Sequence, residues 1–232
     1  MNKELMIFGA SGHLGKGITR SMISKDYDRI YLFDFNISES GVKDDRITLI
    51  NISDLSVEEN VIKVFESVKP DKNKIFYLYS TIGGYFGGKK TWETSVEDWN
   101  KMLNMNLNSS FLIAKYFSKI VKESYAGSIC FTAALTGLNE ESGKSAYGVS
   151  KSALIHLVKT LADEGKEINL TVNAVAPYII DTPPNREWMK DGNYESWIKP
   201  DEVGELVHSL FNSFNFVTGN IIKLTNRFSL KQ

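Results

Sequence analysis

The sequence predicts an α/β protein, a doubly wound parallel sheet of about seven strands with helices on both faces. Three observations carry this prediction. Short apolar runs alternate with segments of helical spacing along the whole 232-residue chain. The runs are apolar at consecutive positions, as strands covered on both sides must be. The first run ends in a glycine-rich turn that opens a helix, the arrangement of a nucleotide-binding sheet.

Leu5–Phe8 reads as the first strand, and Ile18, Met22 and Ile23 give the segment after it one apolar helical face. Arg29–Phe33, closing at Asp34, and Ile47–Ile50 are the second and third strands. Val57, Val61, Val64, Phe65 and Val68 space as an amphipathic helix, which Pro70 stops. Ile75–Tyr79 is the fourth strand, followed by the loop Gly83–Gly88. One long helix is expected from about Val96 to Val121, then a strand at Ser128–Phe131. The Ala/Ser/Leu-rich stretch from Tyr147 to about Glu164 is helical, and Leu170–Val175 is the sixth strand. A polar, Pro-containing insert covers 177–200. A helix near Asp201–Phe211 and a strand at Asn220–Leu224 complete the pattern.

Composition bounds the partners. Hydrophobic residues make up 42% and charged residues 24%, with a net charge of -1, so neither nucleic acid nor an acidic membrane surface is expected as a partner. No apolar run reaches the length of a membrane span. The single cysteine, Cys130, lies in an apolar strand and excludes an intramolecular disulfide, which fits a reducing, cytoplasmic setting. No repeat or linker divides residues 1–232, so one domain is expected, with 177–200 as an insert closing over the site. His13, His156 and His208 have no metal-ligand spacing, and no metal is expected.

Two patterns carry chemistry. Gly9-Ala10-Ser11-Gly12-His13-Leu14-Gly15 joins strand to helix. Glycines there permit a tight turn and close approach of a pyrophosphate to the helix N-terminus. A tight turn with no ligand is the simpler alternative. Nineteen residues after Gly15, Asp34 ends the second strand, where a carboxylate accepts hydrogen bonds from ribose hydroxyls and repels a 2′-phosphate. That favours NAD(H) over NADP(H), although Asp34 would also serve as a turn cap. Further on, Tyr147 and Lys151 sit at i and i+4 of a helix and share a face. An adjacent ammonium is expected to lower the phenol pKa toward neutrality and make a general acid/base. A solvated helix face is the bland reading of the same pair.

Taken together, the ordered motifs resemble the short-chain dehydrogenase/reductase family, whose fold is Rossmann-type. Met102-Leu103-Asn104-Met105-Asn106-Leu107 is similar to its N-x-N-L stretch, and Asn173-Ala174-Val175-Ala176-Pro177 to its strand-six motif. The resemblance implies catalytic roles for Asn106, Tyr147 and Lys151, with Lys151 also on the nicotinamide ribose and Asn106 holding a water beside it. It implies cofactor contacts from Gly9, Ser11, Gly12, His13, Leu14, Gly15, Asp34, Asn51, Ile52, Ile82, Gly83, Tyr147, Lys151, Pro177 and Ile180, and from Thr182 at the carboxamide. It also implies a homodimer or homotetramer through the helices near 102–121 and 147–164. Leu112, Ile113, Tyr116, Phe117, Leu154, Leu157, Val158 and Leu161 there exceed what one core face needs.

The departures point within the family. The catalytic serine, thirteen residues before the tyrosine, is Ala134 here. Phe8 precedes the loop, and Ser80-Thr81-Ile82-Gly83 stands where N-N-A-G is usual. Asp181-Thr182-Pro183-Pro184-Asn185-Arg186, like Ala134, resembles the dihydropteridine-reductase-like branch. That implies NAD(P)H-dependent hydride transfer to a small, flat conjugated substrate, with Ala134, Tyr85, Tyr178 and Arg186 as its contacts. Two alternatives stay open. One is a general carbonyl or alcohol dehydrogenase with Thr136 or water in place of the serine. The other is a dinucleotide-binding sensor or scaffold without turnover.

Overall fold

In a computed structural model of the chain, which describes residues 1–37, 44–213 and 215–228, alternate residues of each central strand feed two separate cores. Seven parallel strands form one sheet, ordered β3-β2-β1-β4-β5-β6-β7. They are β1 (Asn2–Phe8), β2 (Arg29–Asp34), β3 (Ile47–Asn51), β4 (Lys74–Ser80), β5 (Ala126–Thr132), β6 (Leu170–Pro177) and β7 (Ile221–Leu224). The observed strands run past the apolar segments read from the sequence. Register with a neighbour extends pairing into polar ends such as Asn2↔Lys74 and Phe8↔Ser80.

The helices are α1 (His13–Ile23), α2 (Glu58–Glu66), α3 (Val96–Leu103), α4 (Ser109–Lys122), α5 (Ser145–Glu164), α6 (Pro183–Trp188) and α7 (Pro200–Ser213). Strand side chains alternate between faces. Met6 and Phe8 of β1 join Phe33, Phe76, Leu78 and Phe131 in a core covered by α2, α4 and α5. Leu5 and Ile7 join Ile30, Leu32, Tyr79 and Val175 in the opposite core, beneath α1 and α7. Stacked Phe8 and Phe33 rings, 4.4 Å between centroids, tie β1 to β2 in the first core. On the other face Gly17 lets α1 approach α7 closely. A Cβ on Gly17 would fall 2.2 Å from Cβ of Pro200, where the 177–200 insert runs into α7.

Strand order reverses between β1 and β4, so the crevice for a ligand lies outside the carboxyl ends of those two strands. Within the insert Trp197 is buried, and Ile180 bridges to Ile198. Two expectations are corrected here. The long helix of 96–121 is two helices separated by a π turn, Asn104–Asn108. The apolar residues read as a surplus on α4 and α5 mostly serve this chain's own core. Leu112, Ile113, Phe117, Leu154 and Val158 are buried, and Tyr116, Leu157 and Leu161 pack against them. The exposed apolar side chains of those two helices are Phe111 and Val149.

Among the described residues, no helix is long and apolar enough to cross a membrane, and no group of His, Cys, Asp and Glu is placed to hold a metal ion.

Candidate active site

Two neighbouring cavities occupy the strand ends. The first, about 280 Å³, is lined by Gly9, Gly12, Asp34, Phe35, Asp54, Leu55, Thr81, Ile82, Gly83, Asn104, Met105 and Ser109. Gly9 has φ +80°, and a Cβ there would stand 2.2 Å from Oγ1 of Thr81. Only glycine lets β1 turn this tightly into α1. The Thr81 hydroxyl donates to the carbonyls of Phe8 (3.0 Å) and Gly9 (3.1 Å) and ties the ends of β1 and β4 together. Gly15 fits against the same turn, since its Cβ would fall 1.9 Å from the Gly9 carbonyl oxygen.

Gly12, the N-cap of α1, caps no amide with a side chain, so the helix N-terminus faces the crevice with free N–H groups. Asp34 accepts from the amides of Ser11 and Phe35, each at 2.7 Å, and its carboxylate is fixed at the crevice wall. These features fit a dinucleotide: open amides for its phosphates and a carboxylate for a ribose. Of the other predicted contacts, His13 is exposed at the start of α1. Ile52 is buried in the core, and Asn51 uses its amide oxygen to accept from Ile37 N–H at 3.2 Å. None of these three lines the cavity. Asp54 and Leu55, two to four residues later, do; the sequence reading missed them.

The second cavity, about 550 Å³, shares Thr81 and Gly83 with the first and brings together Leu14, Tyr85, Ala134, Tyr147, Lys151, Pro177, Tyr178 and Ile180. Thr182 is buried at the start of α6, outside that lining. Lys151 is 4% exposed, and its ammonium donates to the Thr132 carbonyl at 2.8 Å. Burial alone pulls its pKa down to about 8. The Tyr147 phenol, by contrast, is pushed well above its ordinary value by burial, then by Tyr85 and Glu141. The expected lowering of Tyr147 by Lys151 is therefore corrected for the protein alone. The ammonium is turned to a main-chain carbonyl, and desolvation dominates the phenol.

Asn106 sits in the π turn and is fully buried. Its amide oxygen accepts from Gly84 N–H at 2.9 Å, and its amide nitrogen donates to Gly84 O and Ser150 Oγ, each at 3.0 Å. Ser150 in turn donates to the Tyr147 carbonyl at 2.8 Å. Asn106 thus braces the glycine loop against α5, and Ser150 is a bracing residue that the sequence reading did not name. Gly83 has φ +154°, and a Cβ on it would lie 2.6 Å from Asn106 Oδ1 and 3.1 Å from Lys151 Nζ. Glycine keeps open the space that both polar atoms face.

The remaining walls are aromatic. The Tyr85 ring meets Tyr147 edge-on at 5.0 Å and lies 6.3 Å from Trp188. Trp188, at the end of α6, was not assigned a substrate contact from sequence. Ala134 presents a methyl group to this cavity. Arg186 does not line it. Its guanidinium pairs with both oxygens of Asp181 (2.6 and 2.8 Å), half exposed, and stacks on Tyr194. The expected substrate contact is replaced by an ion pair within the insert.

A family model described as short chain dehydrogenase matches residues 3–193. The chain belongs to that family. This short-chain dehydrogenase is accordingly an NAD(P)H-dependent oxidoreductase that transfers a hydride to a small substrate. It is 31% identical over 207 residues to a Dictyostelium discoideum protein named dihydropteridine reductase, covering 88% of this chain and 86% of that one. The backbone matches the solved structure of ElxO with NADP bound at a TM-score of 0.83 and 23% identity, over 97% of this chain and 98% of that one. It matches a Brucella melitensis 3-oxoacyl-[acyl-carrier protein] reductase with bound NAD at 0.82 and 22% identity, over 99% and 92%. At those identities the two structures speak for the Rossmann-like fold.

Proposed function

We propose that this short-chain dehydrogenase reduces a flat conjugated ring of the dihydropteridine kind, using NADH in preference to NADPH. The observation that carries the substrate class is the cleft wall. A methyl group at Ala134 stands where a carbonyl clamp would be, while Tyr85, Tyr178 and Trp188 offer ring faces beside Tyr147. Isolated ketones depend on a fixed hydroxyl donor, whose loss costs about two to three orders of magnitude in rate. A conjugated ring spreads the incoming charge and depends on it less. The relative named dihydropteridine reductase supports the same class. Thr136 does not stand in for the serine, because its hydroxyl donates to Glu141.

The bound cofactor supplies the hydride. Tyr147 delivers the proton from its hydroxyl oxygen. Lys151 would hydrogen-bond the nicotinamide ribose of a bound cofactor and, drawn from Thr132 toward the phenol, its positive charge would ease that proton's departure. Asn106 and Ser150 keep Tyr147 and the Gly83–Gly84 backbone in place for both. The cofactor preference rests on charge: among the described residues, Asp34 and Asp54 line the first cavity and no Lys or Arg does, a poor setting for a 2′-phosphate.

We place the enzyme in the cytoplasm as one catalytic unit spanning the chain, with 177–200 closing the substrate side. Its partner is a second copy meeting α4 and α5 through Phe111 and Val149.

The test is NADH and NADPH oxidation with quinonoid dihydropterin and with a panel of isolated ketones. NADH with the pterin is expected to exceed NADPH by about tenfold or more in kcat/KM, the size of one unfavourable charge contact. A preference for ketones, or for NADPH, would overturn the corresponding half of the proposal.

A further inference from the structure

One cluster on the cleft wall has no part in the chemistry above. Lys144 immediately precedes α5, at the positive end of that helix, and the first turn of α5 holds no acidic side chain to offset it. A cation is disfavoured at that position by the helix dipole. A residue that breaks a local rule is a place to look for function. Here the cation is held by purpose-built neighbours. Its ammonium pairs with Glu141, and the Thr136 hydroxyl donates to the other oxygen of the same carboxylate. These two contacts hold the Glu141 carboxyl below its usual range, so it stays an anion. On its other side the ammonium lies 5.9 Å from the centre of the Tyr85 ring. Thr136 and Lys144 line the catalytic cavity together with Ala134, Tyr85 and Tyr147, while Glu141 stands behind them in the adjoining groove.

We propose that Lys144, steered by Glu141 and Thr136, binds an oxygen on the edge of the substrate ring in place of the hydroxyl that Ala134 lacks. The substrate class is then a flat conjugated acceptor whose ring oxygen is in conjugation with the atom that takes the hydride. As the hydride arrives with its electron pair, the π bond at the accepting atom opens and negative charge moves through the ring onto that oxygen. The Lys144 ammonium stabilises the charge there. Tyr147 then gives the ring a proton, so one hydride and one proton yield the ring reduced by two hydrogens, the tetrahydro form for a quinonoid dihydropterin, and the oxidised cofactor. Lys144 touches the substrate; Glu141 and Thr136 are positioning residues. The inference rests on the short-chain reductase reading above and adds to it the group that recognises the ring.

The experiment compares native enzyme with Lys144→Met, Lys144→Arg and Glu141→Gln on quinonoid dihydropterin and on cyclohexanone, with NADH affinity read from nucleotide fluorescence. Lys144→Met is expected to lose about tenfold to a hundredfold in kcat/KM on the pterin, the range for one charged hydrogen bond. Lys144→Arg should recover most of the loss, and Glu141→Gln should fall between. All three should bind NADH within about twofold of native and reduce cyclohexanone, if at all, at the native rate, since neither step meets Lys144. A merely structural lysine would lower both substrates and NADH affinity together. Native-like pterin reduction by Lys144→Met, or an arginine variant as impaired as the methionine one, overturns the inference. So does a native enzyme that reduces cyclohexanone and leaves the pterin untouched, although the reductase reading then survives. An enzyme that binds NADH and reduces neither ends the inference and the substrate reading together.

Discussion

At the residue scale, Lys151 is the side chain whose chemistry the structure changes most. Its spacing from Tyr147 was plain in the sequence because i and i+4 share a helical face. Its charge state was not, because desolvation depends on what the fold packs around it. With a folded pKa near 8 against 10.5 unfolded, Lys151 is charged in both states below pH 8 and burdens the native state there. Between pH 8 and 10.5 the unfolded chain holds the extra proton, so this group's contribution to stability rises with pH. The difference in unfolding free energy between native protein and Lys151→Met, taken without cofactor, is expected to shift in favour of the native protein by about 3 kcal/mol across that window. Urea titrations at several pH values measure it, and a flat difference would refute the burial account. The subtraction matters, because Cys130, lifted to about 12 by burial, works in the opposite direction above pH 9. Ala134 makes a second residue-scale prediction. Ala134→Ser should raise reduction of isolated ketones by about tenfold, part of what one fixed donor supplies. Steady-state kinetics on cyclohexanone checks it.

At the scale of elements, apolar runs located all seven strands; a strand buried on both faces, as β1, β2, β4, β5 and β6 largely are, writes a continuous run into the sequence. Helical spacing located α1 and α2, because one buried face recurs every three to four residues, and Ala/Ser/Leu-rich composition located α5. The break at Asn104–Asn108 escaped, because a π turn keeps helix-forming residues and an apolar stripe on either side and differs only in hydrogen-bond register. Arg186 escaped for another reason: a guanidinium near a site looks alike in sequence whether it meets a ligand or, as here, Asp181. The π turn and the Gly83–Gly84 segment act as one device, because Asn106 fixes the loop from below. Gly83→Ala would press a methyl between Asn106 and Lys151 in a backbone conformation that alanine resists. We expect activity to fall by about a hundredfold or more, the cost of a roughly 1 Å misplacement in a catalytic array. Circular dichroism should remain native, and loss of the fold itself would show the segment to be structural.

At the scale of the whole molecule, the reversal of strand order between β1 and β4 opens the crevice in which we place the cofactor, and this could be anticipated once the first glycine turn was recognised. Which side chains face another copy could not, because periodicity marks a helix as apolar without saying which partner covers it. Phe111 and Val149 carry that proposal, and sedimentation should give a mass of at least twice 26.1 kDa. A single 26.1 kDa species would remove it. The contact of Gly17 with Pro200 reaches further. It seats the far end of the 177–200 insert on α1, the helix whose first turn we propose receives the pyrophosphate. A nucleotide that steadies α1 therefore steadies the base of the wall against which the ring must lie. Turnover should then be ordered, with the dinucleotide entering first and leaving last. In product-inhibition kinetics, NAD⁺ should compete with NADH and should not compete with the ring substrate.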